Sequence, residues 1–311
     1  MASATSLRGP RRRWTARRNE AIAGILFASP WILGLLVLTA YPVGAAVYYS
    51  FTKFNILQPA QWIGAANYVK AFGKDDLFLL SLKNTLYYSG ISVPLGLLFS
   101  VGLALLLNQP LVGRSFYRIT FYMPSLVPAV ANTIVWMLLL DPGGGLVNRL
   151  LGYVGIDGPR WLTNPDWIKP AFVLMGLWNI GPTIIIFLAG LQDIPQHLYE
   201  AAEIDGANAW QKAFHITLPL LSHVVFFNLI MGMIGSLQVF VQSFVAMGSS
   251  SGGPRNAGLF YVLYVYRNAF QYFNMGYACA LSIILFALTL LLTLLVFRSS
   301  ESWVYYAAEA R

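Results

Sequence analysis

Six stretches of this chain run for 22 residues or more without an Asp, Glu, Lys or Arg: 21–52, 84–113, 119–140, 170–192, 213–254 and 268–297. A helix needs about 20 mostly apolar residues to cross the hydrocarbon of a bilayer. Each run is long enough for one crossing, and no other charge-free run reaches 20. The alternation of a barrel strand is absent, and Leu, Ala and Ile dominate, so the runs read as helices. Only 10% of the 311 residues are charged, against about 25% in a soluble domain. The fold class expected is all-α: a polytopic membrane protein with six transmembrane helices, at about 22–48, 84–107, 118–140, 170–191, 219–244 and 276–298. The bilayer is its first partner.

The net charge of +8 is local. Arg8, Arg11, Arg12, Arg13, Arg17 and Arg18 form a basic tail before the first span, and they offer no broad basic surface for nucleic acid. Lys and Arg close to a span favour the cytoplasmic side, which places the N-terminus there. Six crossings return the C-terminus to the same side. Eleven Lys/Arg then fall on cytoplasmic segments and nine outside, a weak bias in the same direction. The tail, residues 1–18, is expected to be disordered, and residues 19–311 to form one transmembrane domain. The first apolar run is too long for a secretory signal and closes on no small-residue cleavage site, so it reads as an uncleaved helix.

Several spans contain proline: Pro30 and Pro42, Pro94, Pro124 and Pro128, and Pro182. Two readings stand: ordinary packing kinks, or broken helices that expose backbone carbonyls to a pathway. Small residues in the second span (Gly90, Gly96, Ser100, Gly102, Ala104) suit close helix contacts.

Enzyme chemistry finds little footing. The single cysteine, Cys279, excludes an internal disulfide and a Cys-rich metal site. Gly143-Gly144-Gly145 is not followed by the Lys-Ser/Thr of a phosphate loop. The spans hold no acid, and no Ser-His-Asp or Cys-His set is evident. No metal site and no cofactor are expected in the chain itself.

The segment 192–218 carries the clearest signal. Pro195 suits the first turn of a helix, residues 196–205 are good helix formers, and Gly206 can end the helix in a left-handed cap. Asn208 is a natural N-cap for a second helix running towards Pro219. A helix of about ten residues needs something to pack on. The segment has a net charge of −3, from Asp193, Glu200, Glu203 and Asp205 against Lys212. An anionic inner leaflet would repel it, so a protein groove is the better match.

Glu200-Ala201-Ala202, three residues to Gly206, nine more to Ile216, and then Leu218-Pro219 resembles the EAA signature of permease subunits in binding-protein-dependent ABC importers. The wider chain is similar to their sugar-type branch, kin of the maltose and glycerol-3-phosphate permeases. The residues carrying the wider resemblance are Trp62-Ile63-Gly64 with Asn67-Tyr68, Pro124, Phe240 with Gln242, Gly252-Gly253-Pro254, and Tyr266, Ala269-Phe270 and Gly276-Tyr277-Ala278. The chain departs from the pattern at Met247-Gly248-Ser249-Ser250-Ser251, where a Thr and a shorter link are usual.

The resemblance implies an ATP-driven importer of a sugar or oligosaccharide in a bacterial or archaeal plasma (inner) membrane. Glu200, Ala201, Ala202, Asp205 and Gly206 would belong to a cytoplasmic coupling helix seated in a cleft of an ATPase. The partners implied are a second permease, expected as a heterodimer, two copies of the ATPase with its ATP and Mg, and an extracellular solute-binding protein. By analogy with that branch, the fourth and fifth spans would line the pathway. Polar and aromatic side chains inside the spans supply candidates: Asn132, Trp136, Trp178, Asn179, Ser236, Gln238 and Gln242. Helix–helix contact is the competing role for each. The alternative from another class is an ion-coupled secondary transporter, which would use intramembrane acids at a midplane site.

Overall fold

The computed structural model describes residues 11–110, 112–248 and 251–305, with side chains from Arg18 onward. It is helical except for one short hairpin. α1 (Arg11–Leu35) passes through a π-turn at Leu36–Ala40 into α2 (Tyr41–Ser50). Pro42 cannot donate to the carbonyl four residues back, and the wider turn accommodates that loss. The helix as described begins at Arg11, inside the basic tail. Arg is a good helix former, and a turn added to an existing span needs no new nucleus. Residues 1–10 lie outside the described residues.

β1 (Thr52–Lys53) pairs antiparallel with β2 (Gln61–Trp62), Thr52 opposite Trp62. α3 (Ala66–Lys74) follows. Asn67 Nδ2 donates to the carbonyls of Ser50 (2.8 Å) and Thr52 (3.0 Å), and the Tyr68 hydroxyl lies 2.7 Å from Ser50 Oγ. The backbone at Thr52 passes so close to Gly276 that a Cβ there would collide with its carbonyl. The Trp62, Asn67-Tyr68 and Gly276 signatures therefore build one corner of the fold.

α4 (Asp76–Asn108) runs unbroken through Pro94, starting eight residues before the expected span. α5 (Arg114–Tyr122) and α6 (Ala129–Leu139) are bent by 102°, with a 3-10 turn at Met123–Leu126 between them. The span expected over 118–140 is this bent pair, which matches the broken-helix reading of its prolines. Pro124 and Pro128 remove two backbone donors, and the residue before Pro128 is forced into an extended conformation. α6 alone would reach only about 16 Å, half the hydrocarbon thickness.

After α7 (Leu146–Tyr153), α8 (Pro165–Leu177) and α9 (Gly181–Gln192) form a second bent pair, at 49°, over the span expected at 170–191. The break is at Trp178–Ile180, just ahead of Pro182. Next come α10 (Gln196–Ile204), α11 (Ala209–Lys212), a π-turn over Ala213–Thr217, and α12 (Leu218–Leu220). The last spans are α13 (Ser222–Leu237) with α14 (Val241–Met247), and, beyond α15 (Tyr261–Tyr266), α16 (Met275–Ser300). Arg18–Ser50, Asp76–Asn108, Ser222–Met247 and Met275–Ser300 are long and apolar enough to cross a membrane; counting each bent pair as one span gives six.

Three buried clusters hold the bundle. Phe172, Met175, Trp136 and Phe260 centre the first, Phe78, Tyr261, Tyr277 and Leu281 the second, and Ala104, Leu107, Phe187 and Leu221 the third. The third lies where α4 ends and α9 leads into the 192–218 segment. Ser100 and Ala104 on α4 are fully buried there, as small residues at a close helix contact should be. The first span has no buried residue in its most apolar stretch, and Phe27 is 91% exposed. In lipid an apolar face needs no protein cover.

Asp75 ties α4 to the last two helices. It accepts from the Phe78 N–H at 3.0 Å, from the Tyr264 hydroxyl at 2.6 Å and from the Tyr277 hydroxyl. The Lys70 ammonium stands 4.1 Å from the Tyr277 ring centre. Burial pushes the Asp75 carboxyl up, but the three hydrogen bonds and the Lys70 charge outweigh it and hold its pKa below the ordinary value.

Candidate functional site

Two features stand out: the helical turn after α9, and a cavity where the spans break.

In the first, α10 ends as expected. Gly206 adopts φ +75°, the left-handed conformation that glycine reaches at least cost. The Gly206 N–H returns to the Glu203 carbonyl at 3.0 Å, and the Ala207 N–H to Ala202 at 2.9 Å. Asn208 caps α11 in a full capping box: its side chain accepts from the Gln211 N–H at 2.9 Å, while Gln211 Oε1 accepts from the Asn208 N–H at 2.8 Å. The Tyr199 hydroxyl lies 2.9 Å from Thr217 Oγ1, binding α10 to the segment that enters α13.

The acidic residues of this turn are not equivalent. Glu203 forms a 2.7 Å ion pair with Lys212. Glu200 is exposed and has no hydrogen-bond or ionic partner among the described residues. Ala201 and Asp205 are exposed too, and Ala202 is half-buried. A shallow recess beside them is lined by Ala202, Asp205, Gly206, Gln211 and His215. Three exposed apolar residues missed at the level of sequence accompany them: Ile204, Trp210 and Phe214, at 88%, 75% and 58% exposure. Trp210 and Phe214 stack at 6.1 Å. The available signal was the presence of large apolar residues in a charged, polar segment outside the spans. A short helix with a free carboxylate, a small-residue face and bare aromatics is chemically suited to dock in a groove.

The second feature is a cavity of about 560 Å³ between α4, α8, α9, α13 and α14. It lies against the breaks at Trp178–Ile180 and Gln238–Phe240, and reaches Ala129, just past the break at Val127–Pro128. The prolines in the third and fourth spans thus mark true breaks, whereas Pro94 leaves α4 unbroken. Among the described residues no Asp, Glu, Lys or Arg lines the cavity; its polar groups include Ser92, Asn179, Thr183, Asn228, Ser236 and Gln242. An uncharged wall with scattered hydrogen-bonding groups matches a neutral polar solute.

Of the seven pathway residues expected, Asn179, Ser236 and Gln242 line this cavity. Asn179 Nδ2 donates to the Met175 carbonyl at 3.3 Å, and Ser236 Oγ lies 2.6 Å from Ser89 Oγ. Gln242 Oε1 is buried with no partner among the described residues. The other four lie elsewhere. Asn132 and Trp136 are buried on α6, and Trp136 meets Trp178 edge-on at 5.9 Å. Trp178 is 55% exposed at the α8–α9 break, and Gln238 is exposed at the end of α13. Sequence reading missed Tyr88, Ser92, Thr183 and Asn228. Their only signal was a polar atom within an apolar run, which helix–helix contact explains equally well.

Comparison with known proteins places the chain. A family model described as "Binding-protein-dependent transport system inner membrane component" matches residues 92–303. The chain is 38% identical to the probable ABC transporter permease protein YesP of Bacillus subtilis (strain 168), covering 94% of both chains. It is 33% identical to the sulfoquinovosyl glycerol transport system permease protein SmoG of Agrobacterium fabrum, covering 92% of both. It is also 33% identical to the trehalose/maltose transport system permease protein MalF of Thermococcus litoralis, covering 89% of this chain and 92% of that one. Among solved structures, it superposes on a bacterial alginate ABC transporter, in complex with alginate pentasaccharide-bound periplasmic protein. The TM-score is 0.79 at 26% identity, over 93% of this chain and 97% of that one. The chain belongs to the family of inner-membrane components of binding-protein-dependent transport systems.

Proposed function

We propose that the chain is the permease subunit of an ATP-driven importer for a sugar or oligosaccharide. The family match over residues 92–303 carries this reading, because that interval contains the 192–218 turn and, Tyr88 apart, the whole lining of the cavity. The relatives named for sugars or their glycosides, SmoG and MalF, support the substrate class, as does an uncharged cavity with hydrogen-bonding walls. No observation favours the ion-coupled alternative.

In this reading α10 is the coupling helix. Glu200, Ala201, Ala202, Asp205 and Gly206 form its docking face, with Ile204, Trp210 and Phe214 as apolar anchors. ATP and Mg belong to two copies of a cytoplasmic ATPase, and closure of that dimer moves α10. Because Tyr199 is bonded to Thr217, movement of α10 is passed to the fifth span and so to the cavity wall. Asn179, Ser236 and Gln242 contact the solute in transit. A second permease, as a heterodimer, and an extracellular solute-binding protein complete the assembly. The N- and C-termini are cytoplasmic, which puts Glu200 and the ATPase on the same side.

The test is the ATPase activity of the reconstituted assembly, with and without binding protein and sugar. Binding protein and sugar together are expected to stimulate turnover, and Glu200→Ala to abolish that stimulation while the complex stays assembled. Stimulated turnover unchanged in Glu200→Ala would remove α10 from the coupling role. Failure of any ATPase to co-purify would sink the importer reading.

A further inference from the structure

α5 carries two arginines one turn apart, and their situations differ. Arg114 has its acceptors within the chain: Nε donates to the Leu107 carbonyl at 2.7 Å, and Nη2 to the Asn108 carbonyl and side chain at 3.0 Å. It therefore caps the C-terminal end of α4, where a cation meets the negative end of the helix. Arg118 is half-buried, and its Nε and Nη2 are buried without an acceptor among the described residues. A buried guanidinium lacking acceptors is costly. The acceptor has to come from outside the described residues, and it has to be rich in oxygen and preferably anionic.

The surroundings narrow its identity. Arg118 lines a groove of about 420 Å³ together with Ile119, Tyr122, Met123, Leu126 and Ile185. Ile119, Met123 and Leu126 are 61%, 58% and 68% exposed. The site thus pairs an unsatisfied cation with an apolar trough. A ligand that fits has an anionic head and a hydrocarbon tail. Depth agrees with this. Arg118 is about 6 Å along α5 from Arg114, which sits on the last carbonyls of α4, so the guanidinium lies within snorkelling reach of the headgroup level.

We propose that Arg118 and the adjoining groove hold one anionic phospholipid of the leaflet facing the cytoplasm, its phosphate on the guanidinium and one acyl chain against Ile119, Leu126 and Ile185. The choice of leaflet rests on the orientation proposed above; the site itself does not. That leaflet is the one whose anionic lipids draw cations. The lipid satisfies Arg118 and braces α5 against α9, whose far end leads into the 192–218 turn. A carboxylate from the second permease is the rival occupant.

The test uses the full chain, with the subunits that co-purify with it, in nanodiscs of phosphatidylcholine alone or doped with phosphatidylglycerol in both leaflets. Symmetric doping makes the result independent of orientation. Native mass spectrometry of the wild type is expected to retain one phosphatidylglycerol about tenfold more tightly than Arg118→Gln does, with Arg118→Lys between them. Leu126→Trp, which fills the trough and leaves the charge, is expected to weaken retention as well, and it serves if Arg118→Gln does not fold. Equal retention by wild type and both variants would overturn the proposal. So would a wild type that does not distinguish the two lipids, or a zero-length cross-link from the Arg118→Lys side chain to a carboxylate of the second permease.

Discussion

The hydroxyls of Tyr199 and Thr217 meet at 2.9 Å across 18 residues of chain, and Thr217 is almost fully buried. This contact joins α10 to the entrance of the fifth span. Tyr199→Phe removes the bond and leaves the ring in place. We expect a loss of about 1 kcal/mol in docking of the turn, read as faster proteolysis between 192 and 218. Stimulated ATP turnover should fall while basal turnover is kept. Unchanged stimulation would show that α10 and the fifth span move together without this bond.

The Glu203–Lys212 pair lies beside Glu200 and gives an internal control. Its carboxylate side is 64% exposed, and ion pairs of this kind contribute between zero and about 1 kcal/mol. Glu203→Gln should shift thermal stability by no more than a degree or two and leave stimulated turnover nearly intact, in contrast to Glu200→Ala. A collapse of turnover in Glu203→Gln alone would assign the coupling charge to the wrong residue.

Gly206 and Gly276 should respond differently to alanine. At Gly206 a Cβ meets nothing within 4 Å, and the only cost is the left-handed φ of +75°, about 1–2 kcal/mol. Asn tolerates that conformation better than Ala, so Gly206→Asn should be milder than Gly206→Ala. At Gly276 the φ is ordinary, but a Cβ would run into the Thr52 carbonyl. Relief requires the hairpin corner to move, so Gly276→Ala should cost more than Gly206→Ala in a thermal-shift assay. The reverse order would contradict the close approach at Thr52.

How far these features were legible in the chain can be judged residue by residue. The spans were legible because lipid forbids charge, and charge-free runs are visible without any packing information. The caps at Gly206 and Asn208 were legible because each is a local rule of backbone geometry. The breaks were only half legible: Pro124, Pro128 and Pro182 lie beside them, but Pro30 and Pro94 lie in helices that continue. Whether a proline breaks a span depends on what neighbouring helices do with the freed carbonyl, and that is tertiary. The cavity was the least legible feature. Asn132 and Asn179 look alike in sequence, yet α6 turns Asn132 into the protein while the break after Trp178 brings Asn179 to the cavity wall.

Asp75 makes stability depend on acid. Its pKa is held below the ordinary value by Tyr264, Tyr277, the Phe78 N–H and Lys70, against the opposing effect of burial. A carboxylate with a lowered folded pKa stabilises the fold above its unfolded pKa of about 4, and the contribution is lost as pH falls through the lower folded value. The melting temperature should therefore be insensitive to this group between pH 8 and 5 and should fall below about pH 4. Asp75→Asn should lower stability near neutral pH by about 1–3 kcal/mol and flatten part of the acid decline. An identical acid decline in the variant would assign it to other carboxylates.

Gln242 separates a solute contact from a structural one. Its Oε1 is buried at the cavity wall with no donor among the described residues. An unsatisfied buried acceptor costs about 1–3 kcal/mol, and in transit a sugar hydroxyl is the natural donor. Gln242→Leu removes the acceptor at similar volume. If the oxygen serves only the solute, the variant should melt at the same temperature as the wild type or slightly higher, while the KM for sugar uptake rises several-fold. If the oxygen has a hidden structural partner, the variant should instead melt several degrees lower with KM unchanged. Measuring both quantities on the same reconstituted preparation distinguishes the two, because a structural role and a solute role move them in opposite combinations.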